Sequence, residues 1–452
     1  MLEDNLRTLF ALEAEADQPP SQISVPVAGR NARVRQRRRR ALMIGSPVLA
    51  AAAVTAVVAT SVALSGVAFS GGGERIARPA RTGTPLAGPG SAGWARLPRA
   101  PIAPRSEYAA IWTGKKMIVW GGYSGYTTLY GDGAAYDPAT RTWTKLAASP
   151  LAGRALPVAV WTGKDMLIFG GSSTSAAYSD GAAYDPATNT WRKLAPIPRS
   201  LGGNLTGTGS YAVWTGKVMV AWGFFGHGRG GHGGGSLAAA TYNPATNSWT
   251  TGTVAPAQAP TFGDAFWTGK EMIVWGSSFG SGYVPGLQGA TYGHNEGFAY
   301  NPATGKWSRL PASPLGQPGR NLMLAAWTGR YLVVGGGDSS TGLQKDAAAY
   351  DPATNSWMRL PDAPVGFEGN GTAPDIWSGA SVITIENAVP GGRPLSLDLT
   401  TRSWSLGPEA PVPGRQEAHE IWTGSKVLVW GGGVRVGNSC CQAVKPGYSY
   451  AP

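Results

Sequence analysis

WTGKKMIVWGGYSGYTTLYGDGAAYDPATRTW, residues 112–143, is the stretch on which the reading of this chain turns. It returns with variations to the end of the 452 residues. Trp-Thr-Gly, once Trp-Ser-Gly, recurs at Trp112, Trp161, Trp214, Trp267, Trp327, Trp377 and Trp422. A second tryptophan follows each of the first six, at Trp143, Trp191, Trp249, Trp307, Trp357 and Trp404, and Trp94 precedes them all. Self-similarity at 45–60 residues is the period of a propeller blade.

Eight residues after the first tryptophan stands a bulky residue in most units (Trp120, Phe169, Trp222, Trp275, Trp430). The ninth is glycine in six of seven (Gly121, Gly170, Gly223, Gly276, Gly336, Gly431). The run between is continuously apolar, which means burial on both faces, as for a strand with a blade on either side. Thr-Gly ahead of it predicts a hairpin turn. Tyr-Asp-Pro-Ala-Thr, with Asn for Asp in two units, closes a third strand; Asp or Asn before Pro suits a type I turn. The second tryptophan then opens a fourth strand. Each unit is a four-stranded antiparallel meander whose aromatics wedge between blades, each burying roughly 150–250 Å².

Unit seven lacks a fourth strand, and Trp94–Leu97 is a fourth strand lacking its unit. The expected fold is therefore all-β: a seven-bladed propeller over residues 93–452, closed by pairing this N-terminal strand with the last blade. Glycines after an apolar strand, then Tyr-Asp-Pro, then Trp, with Arg in several following connections, resemble the kelch repeat of galactose-oxidase-type propellers. The resemblance spans residues 93–452 and implies partner binding on one loop face. Unit six departs most, with Ile385-Glu386-Asn387 and Asp398-Leu399 in place of the glycines and Asp-Pro.

Upstream, residues 1–17 place Leu2, Leu6, Leu9 and Phe10 at helical spacing up to Pro19-Pro20. They predict a short amphipathic helix, marginal in isolation, in a basic tail over residues 1–40. Arg35 and the run Arg37–Arg40 precede residues 41–70, thirty residues without a charge. About 20 apolar residues suffice to span a bilayer, and the basic flank keeps the N-terminus cytoplasmic. The expectation is a single-pass anchor with the propeller outside the cell, residues 71–92 forming a Gly/Pro-rich linker. A cleaved signal peptide ending near Ala68-Phe69-Ser70 is the competing reading. The length of the apolar run and the forty residues before it favour the anchor.

Charged residues make up 14% of the chain, with net charge +12. The excess is spread along it, so a basic surface rather than a nucleic-acid partner is expected. Cys440 and Cys441 are the only cysteines, which excludes a disulfide framework and paired-cysteine zinc sites. They could close a vicinal disulfide, although neighbouring α-carbons about 3.8 Å apart are short for one; compartment decides.

No catalytic set is recognisable, and nothing calls for a cofactor. The family's copper ligands have no counterpart here. His227 and His232 share the Gly-rich loop 223–236, a weak metal pair with no carboxylate or Cys to complete it. Loop lengths say more. The distance from first to second tryptophan ranges from 27 to 40, with the longest versions in Phe224–Ala240 and Ser277–Gly297. Variable loops on one face of a rigid scaffold are the layout of a recognition surface. Arg105, Arg154, Arg320 and Arg415 each lie seven residues before a first tryptophan. They are the candidate ligand contacts, predicting an electropositive mouth for an acidic glycan or peptide; hydrogen bonding to neighbouring backbone is their alternative role. The first reading is an extracytoplasmic binding module on a single-pass anchor. The alternatives are an exported carbohydrate-modifying enzyme of epimerase or oxidase type, and a transmembrane sensor.

Overall fold

A computed structural model describes residues 93–452 except 126–127, 174, 204, 226–235, 278–294, 316–318, 371–372, 386–391, 412–414, 437–438 and 445. Residues 1–92, with the amphipathic segment, the apolar span and the linker, lie outside it, as do His227 and His232. Among the described residues no helix is long and apolar enough to cross a membrane.

The repeat folds as seven antiparallel meanders, each hydrogen-bonded in sequence order from its first strand to its fourth. Blade one is Ala109–Trp112, Met117–Trp120, Gly133–Asp137 and Thr142–Lys145. Blades two to six repeat it, beginning at Val158, Leu205, Phe262, Leu324 and Ile376. Blade seven takes Arg415–Trp422, Val427–Val436 and Tyr448–Tyr450 from the C-terminus. Its outermost strand is Trp94–Arg96, in the register Trp94↔Tyr450, Ala95↔Ser449 and Arg96↔Tyr448. Ser439–Ala443, which holds both cysteines, pairs with the far end of Val427–Val436. In blades three and four the second and third strands run into what the sequence assigns to loops, with Met219–Phe225 facing Ser236–Asn243 and Met272–Ser277 facing Asn295–Asn301.

Local chemistry explains the turns. In blade one the Thr113 hydroxyl accepts the Lys116 N–H at 2.8 Å, and Gly114 takes φ +87° to close the hairpin. After the third strand, Asp137 Oδ1 accepts the Ala139 N–H at 2.9 Å, the side-chain turn that Asp or Asn before Pro predicts. Four residues after this Asp or Asn the chain is left-handed, at Arg141, Asn189, Asn247, Asn355 and Arg402. Asparagine tolerates that region best among non-glycines. Its side chain is also used: Asn189 Oδ1 accepts the Tyr184 hydroxyl at 2.9 Å and the Ala147 N–H of the preceding connection at 2.8 Å.

Second strands are buried on both faces; Met117–Trp120 and Met166–Phe169 are wholly inaccessible. Apolar side chains gather into seven clusters, one at each junction between neighbouring blades, including blades seven and one (Tyr108, Met117, Val119, Leu428, Trp430). The outer-strand tryptophans then donate their indole N–H groups to carbonyls of the preceding blade's last strand or the connection after it. Trp143 reaches Pro98, Trp191 reaches Ala147, Trp357 reaches Pro311, and Trp94 reaches Pro408 at 3.3 Å. Trp94 thus occupies the seventh position of a ring-wide series. First strands of neighbouring blades adjoin, that of blade one meeting that of blade seven, so first strands surround the axis.

Candidate functional site

At the entry to the first strands the four repeat-matched arginines sit in one geometry. Arg105, Arg154, Arg320 and Arg415 are 0%, 0%, 4% and 3% exposed. Each directs Nη1 to a glycine carbonyl sixteen residues on: Gly121 at 3.0 Å, Gly170 at 3.0 Å, Gly336 at 3.3 Å and Gly431 at 3.1 Å. Three also pair with an aspartate of the loop between second and third strands. Arg105 meets Asp132 at 2.8 Å, Arg154 meets Asp180 at 2.7 Å, and Arg320 meets Asp346. Arg415 instead donates to the Pro446 carbonyl at 2.7 Å. The Arg105 and Arg154 guanidiniums lie over Tyr130 and Tyr178 at 4.0 and 4.1 Å.

Glycine is required where these arginines bind. Gly170 has φ +65°, and a Cβ there would stand 2.3 Å from the Leu205 carbonyl oxygen. The guanidiniums are therefore posts between two loops of one blade, and their burial and pairing leave the expected electropositive mouth without these donors.

Buried carboxyl groups stand beside these posts and on the first strands. Glu107, Leu156, Leu322 and Glu417 each follow an arginine by two residues, and all are left-handed, with φ 49–59°. Glu107 and Glu417 belong to neighbouring blades; burial first, and then the Glu417 charge, push the Glu107 carboxyl well above the usual range. Burial likewise raises Glu417. Asp264, on the first strand of blade four, is 7% exposed and leaves Oδ1 without a hydrogen-bond partner. Burial pushes it well up, and repulsion from Asp375 adds to this. Asp375 precedes the first strand of blade six, so the blades that carry the two acids flank blade five. Asp375 caps that strand: its Oδ2 accepts the Ala325 N–H at 2.9 Å. Burial still raises it to about 7. At the junction of blades seven and one, burial pushes His419 down to about 4. Its Nε2 lies 2.7 Å from the Tyr108 carbonyl oxygen, and a neutral ring donates that bond.

These groups make stability pH-dependent in a stated direction. Asp375 keeps its proton in the fold where the unfolded chain has lost it. Its contribution is full below the ordinary value of 3.8 and is lost as pH rises through about 7. Glu107, Glu417 and Asp264 act in the same sense, as does Glu368, which burial and Asp338 raise to about 7. His419 acts oppositely: its contribution is full above 6.5 and lost as pH falls towards 4. Five carboxyls outweigh one imidazole, so the thermal midpoint should be higher at pH 5.5 than at pH 8. Asp264→Asn, which removes a repelled carboxylate, should raise the pH 8 midpoint by roughly 2–4 °C, about 1–2 kcal/mol, and leave that at pH 5 unchanged. Scanning calorimetry at the three pH values checks both; a midpoint rising from pH 5.5 to 8 would count against this electrostatic picture.

The acidic positions escape the motif search but show once the repeats are aligned on the first tryptophan. Two residues before it, five units have alanine (Ala110, Ala159, Ala212, Ala265, Ala325), whereas units six and seven have Asp375 and Glu420. Among the described residues no three His, Cys, Asp or Glu side chains are arranged to hold a metal.

A family model described as the KLHDC2/KLHL20/DRC7 Kelch-repeats domain matches residues 91–276, from the Trp94 strand into the second strand of blade four. None of the curated proteins compared matches the chain. The described residues thus form a seven-bladed β-propeller, and residues 91–276 of it are similar to a kelch-repeat domain.

Proposed function

We propose that this propeller is a protein-interaction module that binds through the loop end of the ring and is displayed outside the cell on residues 41–70. The observation that carries the binding face is the asymmetry between its two ends. At one end, hairpin turns of nearly constant length hold local hydrogen bonds such as Thr113–Lys116 and Asp137–Ala139. At the other, the second-to-third-strand loops differ from blade to blade; blades one and five add the small hairpins Tyr123–Ser124/Thr128–Leu129 and Asp338–Ser339/Gly342–Leu343. A rigid scaffold that varies at one end suits recognition. Kelch propellers serve mainly in protein interactions, and the match over residues 91–276 supports that use here. Display outside the cell rests on the uncharged run 41–70 behind Arg35 and Arg37–Arg40. Ring closure by the Trp94 strand belongs to the same reading, because a module on a flexible linker must hold its shape unaided.

The test places a photo-crosslinking residue at Leu343, exposed on the loop end, or at Ala187, exposed in a turn at the other end. Irradiation of intact cells should give an adduct from position 343 alone. Added protease should digest the propeller and spare residues 1–40. Adducts from position 187 alone would move the binding face, and a protected propeller would place the domain inside the cell.

A further inference from the structure

We infer that the axial mouth at the loop end accepts a cationic side chain of a partner, a lysine or arginine flanked by apolar residues. The inference rests on the loop end being the binding face. Its first support is the set of side chains that the repeat lifts there. The residue two after the entry arginine is glutamate in blades one and seven (Glu107, Glu417) and leucine in blades two and five (Leu156, Leu322). All four are held left-handed, a conformation disfavoured for such side chains. The backbones follow the ring from blade to blade: Leu156 N–H donates to the Glu107 carbonyl at 2.9 Å, and Gly369 N–H to the Leu322 carbonyl at 2.7 Å.

Charge is the second support. The chain carries +12 overall, yet the residues two after the entry arginines include Glu107 and Glu417, while the guanidiniums there are committed to glycine carbonyls and loop aspartates. Asp264 is more than nine-tenths buried on an axis-side strand with Oδ1 unpartnered, and a buried acceptor without a donor is costly. An ammonium or guanidinium supplies both the charge and the donors.

Leucines at the rim separate a peptide from a bare cation. Leu322 is 44% exposed, and Leu343, on the small hairpin of the same blade, is 43% exposed. Large apolar side chains left in water at the end where Glu107 and Glu417 stand fit a segment that brings apolar residues on either side of its charge. A free polyamine or a metal ion would leave them unused.

The experiment uses the full-length chain in detergent and three probes: a labelled ten-residue peptide of alternating Leu and Lys, its Leu/Glu counterpart, and spermidine as competitor. Fluorescence anisotropy should show binding of the Lys peptide alone, weakened by salt. The double variant Glu107→Gln/Glu417→Gln should weaken it at least tenfold, and Leu322→Ser several-fold, the first melting no lower than the wild type and the second unchanged. Equal affinity in the glutamine variant, or preference for the Glu peptide, overturns the inference. Displacement by spermidine as effective as by unlabelled peptide overturns it in favour of a polyamine site. An adduct at position 343 that persists in the glutamine variant would keep the binding face and remove the cationic partner.

Discussion

Deletion of residues 448–452 is expected to lower the thermal midpoint of the chain by roughly 10 °C. The deletion removes the third strand of blade seven, which is the only partner of Trp94–Arg96 among the described strands. Three register pairs are lost, together with the bond from Ala451 N–H to Gly93 O at 2.8 Å. Tyr450 is buried against Ile376, Ile383, Val427 and Val429, with its ring 4.9 Å from that of Trp94. Truncating one such aromatic costs about 3–5 kcal/mol, and each backbone bond contributes about 1 kcal/mol. The sum is on the order of 6–10 kcal/mol, and a domain this size shifts by at most about 2 °C per kcal/mol. The cut also bares the Val427–Val436 edge to association. Trp94→Ala, which removes the ring and its bond to Pro408, should give about half the shift. A truncated chain that melts with the intact one would show that the ring is held elsewhere.

How far the sequence carried is clearest at its repeated positions. Residues that recur at fixed offsets do so because each blade must satisfy the same neighbours. Met117–Trp120 reads as a doubly buried strand and is one. Asp137 before Pro reads as a side-chain turn and accepts the predicted local bond. The partner of each outer tryptophan was not legible, because a carbonyl about 45 residues upstream, such as Pro98 for Trp143, leaves no mark in composition. The arginines were legible as a set but not in their engagement. A spacing of seven from the tryptophan gives the height in the blade, whereas the glycine carbonyl that fixes Nη1 follows only from the loop path. The buried acids were missed for the opposite reason. Asp264, Asp375 and Glu420 stand where other blades carry different residues, so a search for what recurs passes over them. Their importance lies in the departure from the repeat, and it takes a closed ring to bring departures from different blades near one another.

Arg154→Ala should destabilise the chain by about 3 kcal/mol, and Arg320→Ala by more, about 3–5 kcal/mol. Arg154 has no accessible surface, and its Nε and Nη1 donate to the Ala152 and Gly170 carbonyls at 3.0 Å each. Alanine leaves those acceptors unpaired and opens a cavity beside Tyr178. Its aspartate, Asp180, is half exposed and is rehydrated, which limits the loss. Asp346, the partner of Arg320, is only 14% exposed. Burial pushes its carboxyl up, but Arg320 and then Arg359 hold it below the usual range. That contribution is full above the ordinary carboxylate value of 3.8 and is lost as pH falls below it. The excess cost of Arg320→Ala over Arg154→Ala should therefore shrink near pH 3. Arg192→Ala is the control: its pair with Asp165 at 3.0 Å lies on a half-exposed side chain, and such pairs contribute under about 1 kcal/mol. Urea unfolding of the three variants at pH 7 and pH 3 measures all of this. Wild-type unfolding of Arg154→Ala and Arg320→Ala would mean that these guanidiniums are not posts. They would then again be available to an acidic ligand, and the cationic partner inferred for the mouth would lose half of its electrostatic argument.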